Sequence, residues 1–104
     1  MGTGAGVFTA LTDEAAARMI GSARITGAGG DLQLSIDYKS VSAEAYPIVL
    51  VTYEIVCKTG TPALVKSFLT YASSPAGQEA ATQLGYAPLP EDLRTKVARA
   101  VAAL

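Results

Sequence analysis

The sequence predicts an α/β domain, or a piece of one, in which a buried strand is packed by helices and follows a smaller αβ segment. Apolar and polar residues alternate strictly from Leu32 to Tyr38, which is typical of a strand with one solvent-exposed face. A β-branched apolar run follows at residues 48–57, and helix-start signals recur between residues 61 and 104. A length of 104 residues limits the chain to one domain at most.

Composition indicates the need for a partner surface and excludes several kinds of chemistry. Half of the residues are hydrophobic and the mean hydropathy is +0.32, although a chain this short leaves roughly a third of its unfolded surface exposed. We expect another copy, or sequence outside this chain, to cover part of that surface. A net charge of −1 without a basic stripe argues against nucleic acid. The lack of histidine removes the commonest general base and imidazole metal ligands, and no cofactor is expected.

The first predicted element is a short helix at about residues 13–20. Thr12 is a good N-cap, two acidic residues follow it in the first turn, and Gly21 suits the end. The glycine-rich start at residues 2–6 has the wrong spacing for a dinucleotide loop and follows no strand, which favours a frayed linker. No signal peptide is visible, and no segment has the roughly 18 to 20 apolar residues that span a bilayer.

The central part of the chain predicts two strands with different surroundings. A glycine-rich turn at residues 27–30 precedes the alternating strand at 32–38, and a polar stretch at 39–44 separates it from the apolar run. Apolar residues fall on both faces of the run at 48–57, so we predict a strand buried on both sides, most naturally by helices. Pro47 fits only at its beginning, because proline cannot donate to a strand ladder.

Three helices are predicted in the remaining sequence. The first two share a start signal, a hydroxyl N-cap followed by proline, at residues 61–62 and 74–75. Gly85 suits the end of the second helix, and the last runs from Asp92 to Leu104. Apolar faces are formed by Leu64, Val65, Phe68, Leu69 and Ala72 in the first helix and by Leu93, Val97, Ala100, Val101 and Leu104 in the last. Between the last two helices, we expect two side chains to anchor the connection in the core, Tyr86 and Leu89.

Three candidates for chemistry lie close together in the sequence, and each has a simpler structural interpretation. The loop at residues 58–62 opens a helix, whose free N–H groups can bind an anion. It lacks the P-loop pattern and Pro62 removes a donor, so we predict an ordinary capped helix start. Cys57 is predicted to be a small buried hydrophobe rather than a reactive thiol. Glu54 interrupts the apolar run and is predicted to be ion-paired or solvated.

Two larger sets of side chains also favour structural roles. The adjacent acidic pairs, at residues 13–14 and 91–92, stand at predicted helix starts, where the helix dipole stabilises negative charge. Without a basic groove, the tyrosines are expected to be core or interface aromatics rather than a base-stacking platform; they are Tyr38, Tyr46, Tyr53, Tyr71 and Tyr86. The hypothesis of an enzyme is supported only by Cys57, Glu54, Thr59 and Thr61. We predict that the protein is not an enzyme.

Four strings of residues, taken in order, resemble one protein family. Tyr46-Pro47-Ile48 enters the predicted buried strand, and Phe68-Leu69-x-Tyr71-Ala72 lies on a helix. Ser74-Pro75-x-Gly77-Gln78 begins the next helix, and Gly85-Tyr86-Ala87-Pro88-Leu89-Pro90 precedes the last. Their order and spacing are similar to those in the C-terminal third of the phosphate-binding protein of the high-affinity phosphate ABC transporter. The resemblance covers most of the chain.

The resemblance implies a place for this chain in a two-lobed, periplasmic-binding-protein-like α/β fold that closes on phosphate. Residues 1–44 resemble the end of the second lobe. Residues 45–104 resemble a hinge crossing followed by the strand and terminal helices of the first lobe. The implied location is extracytoplasmic, in the periplasm or at the cell surface, with a lipid anchor in many members. The implied partners are inorganic phosphate, through the parent protein only, and the transporter permease.

The resemblance transfers no phosphate ligand to this chain. The family holds phosphate with hydroxyls, backbone N–H groups, an arginine and an aspartate in the earlier two-thirds of its sequence. The arginine-plus-Ser-Gly-Thr segment of that site has no counterpart here. We therefore expect a non-catalytic, truncated fragment whose phosphate ligands lie upstream. The alternative is a structural module without ligand binding that self-associates, as a homo-oligomer, by pairing exposed strands or swapping segments.

Overall fold

A computed structural model describes residues 1–3 and 6–104, and in these residues it contains helices and one small sheet. In chain order the elements are α1 (Asp13–Gly21), β1 (Arg24–Ile25), β2 (Leu34–Ser35), α2 (Ala63–Ala72), α3 (Pro75–Gln83) and α4 (Glu91–Ala102). The mixed content is compatible with a fragment of an α/β protein. None of the helices in the described residues is long and apolar enough to cross a membrane.

The alternation predicted for residues 32–38 is confirmed in burial but not in strand length. Strands β1 and β2 pair antiparallel, with Arg24 opposite Ser35 and Ile25 opposite Leu34. The alternation persists beyond the paired residues, because Leu32 and Ile36 are half-buried while their polar neighbours are exposed. The sheet consists of β1 and β2 alone. Because β1 is two residues long, the ladder has two residue pairs.

Helix α1 has the predicted N-cap and is anchored to the chain that follows residue 44. The Thr12 hydroxyl accepts a hydrogen bond from the Ala15 N–H at 3.1 Å. Met19 and Ala45 are both buried, and the Tyr46 N–H donates to the Ala15 carbonyl at 3.0 Å. The beginning of the second half of the chain is therefore hydrogen-bonded directly to α1.

The junction between α2 and α3 brings two backbones unusually close together. Ser74 is the predicted N-cap of α3, since its hydroxyl accepts the Gly77 N–H at 3.1 Å. A Cβ atom on Gly77 would overlap the Tyr71 carbonyl, lying 2.8 Å from the carbonyl carbon. Nearby, the buried Ser73 hydroxyl donates to the Leu69 carbonyl at 2.8 Å. Only glycine at position 77 permits this approach without a shift of the backbone.

The connection from α3 to α4 is held by the side chain of Gln78. Its amide nitrogen donates to the Ala72 carbonyl at 2.8 Å, and its amide oxygen accepts the Leu89 N–H at 2.7 Å. Gly85 follows the helix with a φ of +90°, as predicted for its end. The prediction that Tyr86 anchors the connection in the core is wrong, because this ring is exposed. Gln78 and the half-buried Leu89 hold the connection instead.

Helix α4 packs on α2 along its predicted apolar face. Leu93 and Val101 of this face are buried. Lys66 on α2 reaches the end of α4, where its ammonium group donates to the carbonyls of Ala102 at 3.1 Å and Leu104 at 2.9 Å. A cation at a helix C-terminus satisfies free carbonyls and stabilises the negative end of the dipole. The two helices are therefore joined by apolar packing and by one charged contact.

Helix α2 begins without the hydroxyl cap that the sequence predicts. Its N-cap is Pro62, and the Thr61 hydroxyl donates instead to the Cys57 carbonyl at 2.7 Å. This bond closes a turn that contains Gly60 with a φ of +74°. The Thr61 prediction is wrong because the carbonyl four residues earlier competes for the same hydroxyl.

The buried strand predicted at residues 48–57, here called the apolar segment, is the main prediction that the structure contradicts. None of its residues belongs to a strand, and among the described residues no backbone–backbone hydrogen bond involves the apolar segment. Leu50 is 95% exposed and Ile55 is 94% exposed, and Cys57 is also exposed rather than buried. A buried strand needs neighbours at both edges and layers over both faces. The described part of this chain supplies neither.

We expect Gly77→Ala to lower the free energy of unfolding by about 1–3 kcal/mol, the usual cost of forcing extra atoms into a close contact. Urea denaturation followed by circular dichroism measures the loss. Gly60→Ala is the matched control, because no atom lies near its added Cβ and only the positive φ opposes alanine, at a cost of about 1 kcal/mol. A Gly77→Ala loss no larger than that of the control would contradict the close approach.

We expect the Cys57 thiol of the chain by itself to react with a thiol reagent within about threefold of its rate in the urea-unfolded chain, because exposure governs access to the thiolate. Cys57 is the single cysteine, so the labelling stoichiometry is unambiguous. Slow labelling that urea accelerates strongly would show that the thiol is buried.

Candidate functional site

A cavity of about 830 Å³ lies between the apolar segment and the helices α2 and α4. One wall is formed by residues 51–56 of the apolar segment, and residues 29–34 form part of the rim. The opposite wall comes from the predicted apolar faces of the two helices, with Leu69, Leu93, Val97, Val101 and Leu104. The cavity is therefore lined mainly by aliphatic side chains, and the charged side chains in its lining are those of Asp31, Glu54 and Lys58.

Three polar side chains along the cavity are engaged with the chain itself. The Tyr53 hydroxyl accepts the Leu34 N–H at 3.0 Å, which ties the apolar segment to β2. Ser73 and Gln78 form the hydrogen bonds that hold the junctions around α3. These groups stabilise the fold, so they do not converge on a common ligand position.

The apolar segment contains two candidates, the Glu54 carboxylate and the Cys57 thiol, and they do not form a catalytic arrangement. Glu54 is exposed at the cavity and takes part in neither ion pair found among the described residues, Arg18–Glu44 at 3.4 Å and Arg94–Glu91. Of the two states predicted for Glu54, ion-paired or solvated, the exposed side chain fits the second, and it also lines the cavity. Cys57 is exposed and its carbonyl, not its thiol, receives the Thr61 hydroxyl.

The loop at residues 58–62 has the features of an ordinary helix start. The Thr61 hydroxyl is engaged in closing the preceding turn, and the N-cap position holds Pro62. Thr59 is exposed, and the Lys58 ammonium group lies over the turn at Gly29. No hydroxyl in this loop forms a capping hydrogen bond with the N-terminus of α2. Within the described ranges, no group of three or more side chains of the metal-ligating types comes together.

The acidic pairs lie at helix starts, and most of the tyrosine rings lie at the surface. The acidic pairs are in the first turns of α1 and α4, as predicted. Arg94 donates to the Glu91 carboxylate, which holds the pKa of Glu91 below its usual value, and also to the Ser73 carbonyl at 3.3 Å. Tyr46 is half-buried, whereas the exposed rings belong to Tyr38, Tyr53, Tyr71 and Tyr86. These four rings therefore lie outside the core.

Gln78 is the important residue that sequence reasoning missed. Its position in the string Ser74-Pro75-x-Gly77-Gln78 was the available signal, since an amide in the first turn of a helix is well placed to bond a neighbouring backbone. Its role is structural, because its two hydrogen bonds join α3 to the last residue of α2, Ala72, and to Leu89 in the connection before α4.

In comparison with known proteins, the chain is similar to part of several phosphate-binding proteins. The chain is 42% identical over 103 residues to the phosphate-binding protein PstS 2 of Mycobacterium tuberculosis (strain ATCC 25618 / H37Rv) and to PstS2 of Mycobacterium bovis (strain BCG / Pasteur 1173P2). It is 38% identical over 103 residues to the phosphate-binding protein PstS 3 of the same M. tuberculosis strain. Each alignment covers 91% of this chain and 27% of the relative.

Two further comparisons gave no match. No family model matches the chain. No solved structure matches it either.

The relatives confirm the resemblance carried by the four strings of residues. The chain spans about 27% of the length of the curated relatives that it matches, and the match extends over 91% of the chain. By sequence, the chain is therefore a homologue of part of the PstS phosphate-binding proteins.

Proposed function

We propose that this chain is a non-catalytic part of a phosphate-binding protein that delivers phosphate to an ABC-type importer. The observation that carries the proposal is the 42% identity over 91% of the chain to proteins named for phosphate binding. The internal engagement of Ser73, Gln78 and Thr61 supports a scaffold role rather than a reactive one.

The ligands of phosphate are proposed to lie in the 73% of such a protein that this chain does not span. A phosphate site needs several N–H and O–H donors, or cationic side chains, that converge on one point. The cavity is lined mainly by aliphatic groups, and Lys58 is the single cation in its lining. The helix start at residue 62 has the hydroxyl of Thr61 turned to the Cys57 carbonyl. The chain then supports a binding site without contacting the anion.

We also propose that the chain divides between two lobes, with residues 1–44 in one and residues 45–104 in the other. Each of the stronger contacts between elements stays within one of these segments, namely β1 with β2 and α2 with both α3 and α4. The hinge crossing would lie at residues 45–48, next to the hydrogen bond between Tyr46 and Ala15. Closure of two lobes around a ligand is a common transition of binding proteins.

The proposed function places the parent protein outside the cytoplasm, with phosphate and the transporter permease as partners. A lipid anchor belongs to the same proposal. The relatives' designation as phosphate-binding proteins supports phosphate as a partner. The location, the permease and the anchor are what the resemblance to this family implies.

We expect isothermal titration with inorganic phosphate to give no binding heat with the chain by itself. A chimera in which this chain replaces the aligned segment of M. tuberculosis PstS 2 should bind phosphate one-to-one, because it restores the part of the relative that the chain does not span. PstS 2 itself is the positive control.

Two outcomes would contradict the proposal in different ways. One-to-one phosphate binding by the chain alone would show that the ligands lie within it. A folded chimera that binds no phosphate, next to a PstS 2 control that does, would show that this chain is not a working counterpart of the replaced segment.

A further inference from the structure

We infer that two copies of this chain associate as a symmetric dimer through one exposed face of α2. This face, here called the α2 stripe, is formed by Leu64, Phe68 and Tyr71. The two helices pair antiparallel, with the twofold axis close to Phe68. The inference concerns the chain by itself and involves no phosphate, so it goes beyond the proposed function and does not depend on it.

The α2 stripe is an apolar helical face that the chain leaves uncovered. Its residues follow one another at spacings of four and three, which places them on the same side of a helix. Leu64 is 81% exposed, Phe68 is 58% exposed and Tyr71 is 55% exposed. Leu69, in contrast, is buried. Only part of the apolar face predicted for this helix is therefore covered within the chain.

The α2 stripe faces away from the neighbouring helix α4. Lys66 lies two residues from both Leu64 and Phe68, which places its side chain about 160° around the helix from theirs. Its ammonium group donates to the carbonyls of Ala102 and Leu104 at the end of α4. The side of α2 that carries Lys66 is thus occupied by α4, and the opposite side carries the α2 stripe.

The charge of α2 favours a partner whose surface is also uncharged. Lys66 is the single charged residue of the helix, and its ammonium group is engaged at α4. Thr70 beside the stripe donates its hydroxyl proton to the Lys66 carbonyl at 2.8 Å, so this donor has a partner within the helix. A second copy presents the same uncharged face, and no like charges meet when two such faces are joined.

A twofold axis near Phe68 makes the α2 stripe complementary to itself. In a symmetric dimer the same patch is used by both copies, and residue i meets j while j meets i. Antiparallel pairing places Leu64 of one copy against Tyr71 of the other and brings the two Phe68 rings together at the axis. Helices pack about 8–10 Å apart, and aromatic rings pair with centroids about 4.5–7 Å apart.

The exposed area of the chain is large enough for a stable dimer. The accessible area is 7091 Å², whereas a compact monomer of 10.6 kDa exposes about 5,500 Å². The excess of about 1,600 Å² is roughly twice the 800 Å² that each partner buries in a standard interface. At about 200 Å² for each large side chain, the α2 stripe itself exposes about 400 Å². It therefore supplies about half of what one partner needs, as the centre of the interface.

The apolar segment is a poorer surface for joining two copies. Two such segments paired with each other make a two-stranded sheet, which is marginally stable in water. No backbone–backbone hydrogen bond holds the segment in the described residues, so its ordering would cost conformational entropy on association. Helix α2 is already ordered by its own backbone hydrogen bonds and by its contacts with α3 and α4.

Sedimentation velocity of the chain over a wide range of concentration tests the dimer. We expect a reversible monomer–dimer equilibrium, and Phe68→Asp should weaken it at least about 30-fold, because an unpaired carboxylate would then be buried at the centre of the interface. A chain that stays monomeric throughout the range would overturn the inference.

Two control variants show whether the association is specific for the α2 stripe. Phe8→Asp introduces the same change at a ring that is 81% exposed and lies outside α2. Leu50→Asp changes a side chain of the apolar segment that is 95% exposed. We expect both variants to dimerise like the unchanged chain. Dissociation by Leu50→Asp but not by Phe68→Asp would place the contact on the apolar segment, and equal effects of all three variants would show non-specific association. Either result would overturn the inference.

Circular dichroism verifies that the Phe68→Asp variant keeps its helices. The exposed ring contributes little to packing within the chain, so the helix content is expected to be unchanged. Phe68→Ser, which adds no charge, takes its place if helix content is lost, and it should weaken the dimer at least about tenfold. A Phe68→Ser variant that is folded and dimerises like the unchanged chain would contradict the α2 stripe.

Disulfide trapping tests the antiparallel orientation. Leu64→Cys and Tyr71→Cys are made separately in a chain that also carries Cys57→Ser, and the two proteins are mixed and oxidised. The mixed disulfide should dominate, because the two positions lie opposite each other. Two copies of either position alone are offset by about 10 Å along the helices, beyond the roughly 7 Å between Cα atoms that a disulfide spans. Self-paired disulfides as abundant as the mixed one would overturn the antiparallel pairing.

Discussion

In the described chain, the backbone N–H and C=O groups of the apolar segment form no hydrogen bond with any other backbone group. Much of the structure follows from this lack of pairing. A strand without neighbours cannot bury its side chains, so Leu50 and Ile55 stay in solvent. The helices α2 and α4 then face a cavity rather than a sheet.

The helical part of the chain differs from the apolar segment, because its helices are joined to one another by hydrogen bonds and close packing. Gly77 allows α2 and α3 to approach closely, and Gln78 joins α3 to the end of α2 and to the connection before α4. Lys66 and Arg94 add charged contacts from α2 to the end of α4 and from the start of α4 to the α2–α3 junction. The helical part is therefore joined by several hydrogen bonds between its elements, whereas no backbone–backbone hydrogen bond involves the apolar segment in the described residues.

The elements that sequence reasoning predicted well are those determined by residues a few positions apart. Thr12 and Ser74 cap their helices because each hydroxyl meets an N–H three residues later, with no competing acceptor. Thr61 has the same local sequence signal but does not cap its helix, because its hydroxyl donates to the Cys57 carbonyl instead. Cys57 and Glu54 are both exposed, and the Thr61 hydroxyl is engaged with the Cys57 carbonyl. The position of Gln78 depends on the turn between α3 and α4, so its role could not be derived from spacing alone.

The sequence by itself determined the helix boundaries to within a few residues, the alternation around β2, and the resemblance to phosphate-binding proteins. These depend on local hydrogen bonds, on periodicity and on the order of short strings, all of which are present in the chain. Only the tertiary structure decided that the apolar segment is unpaired and that its side chains are exposed. The physical reason is that a strand is completed by backbone groups distant in sequence, and the described residues contain no backbone that pairs with this one.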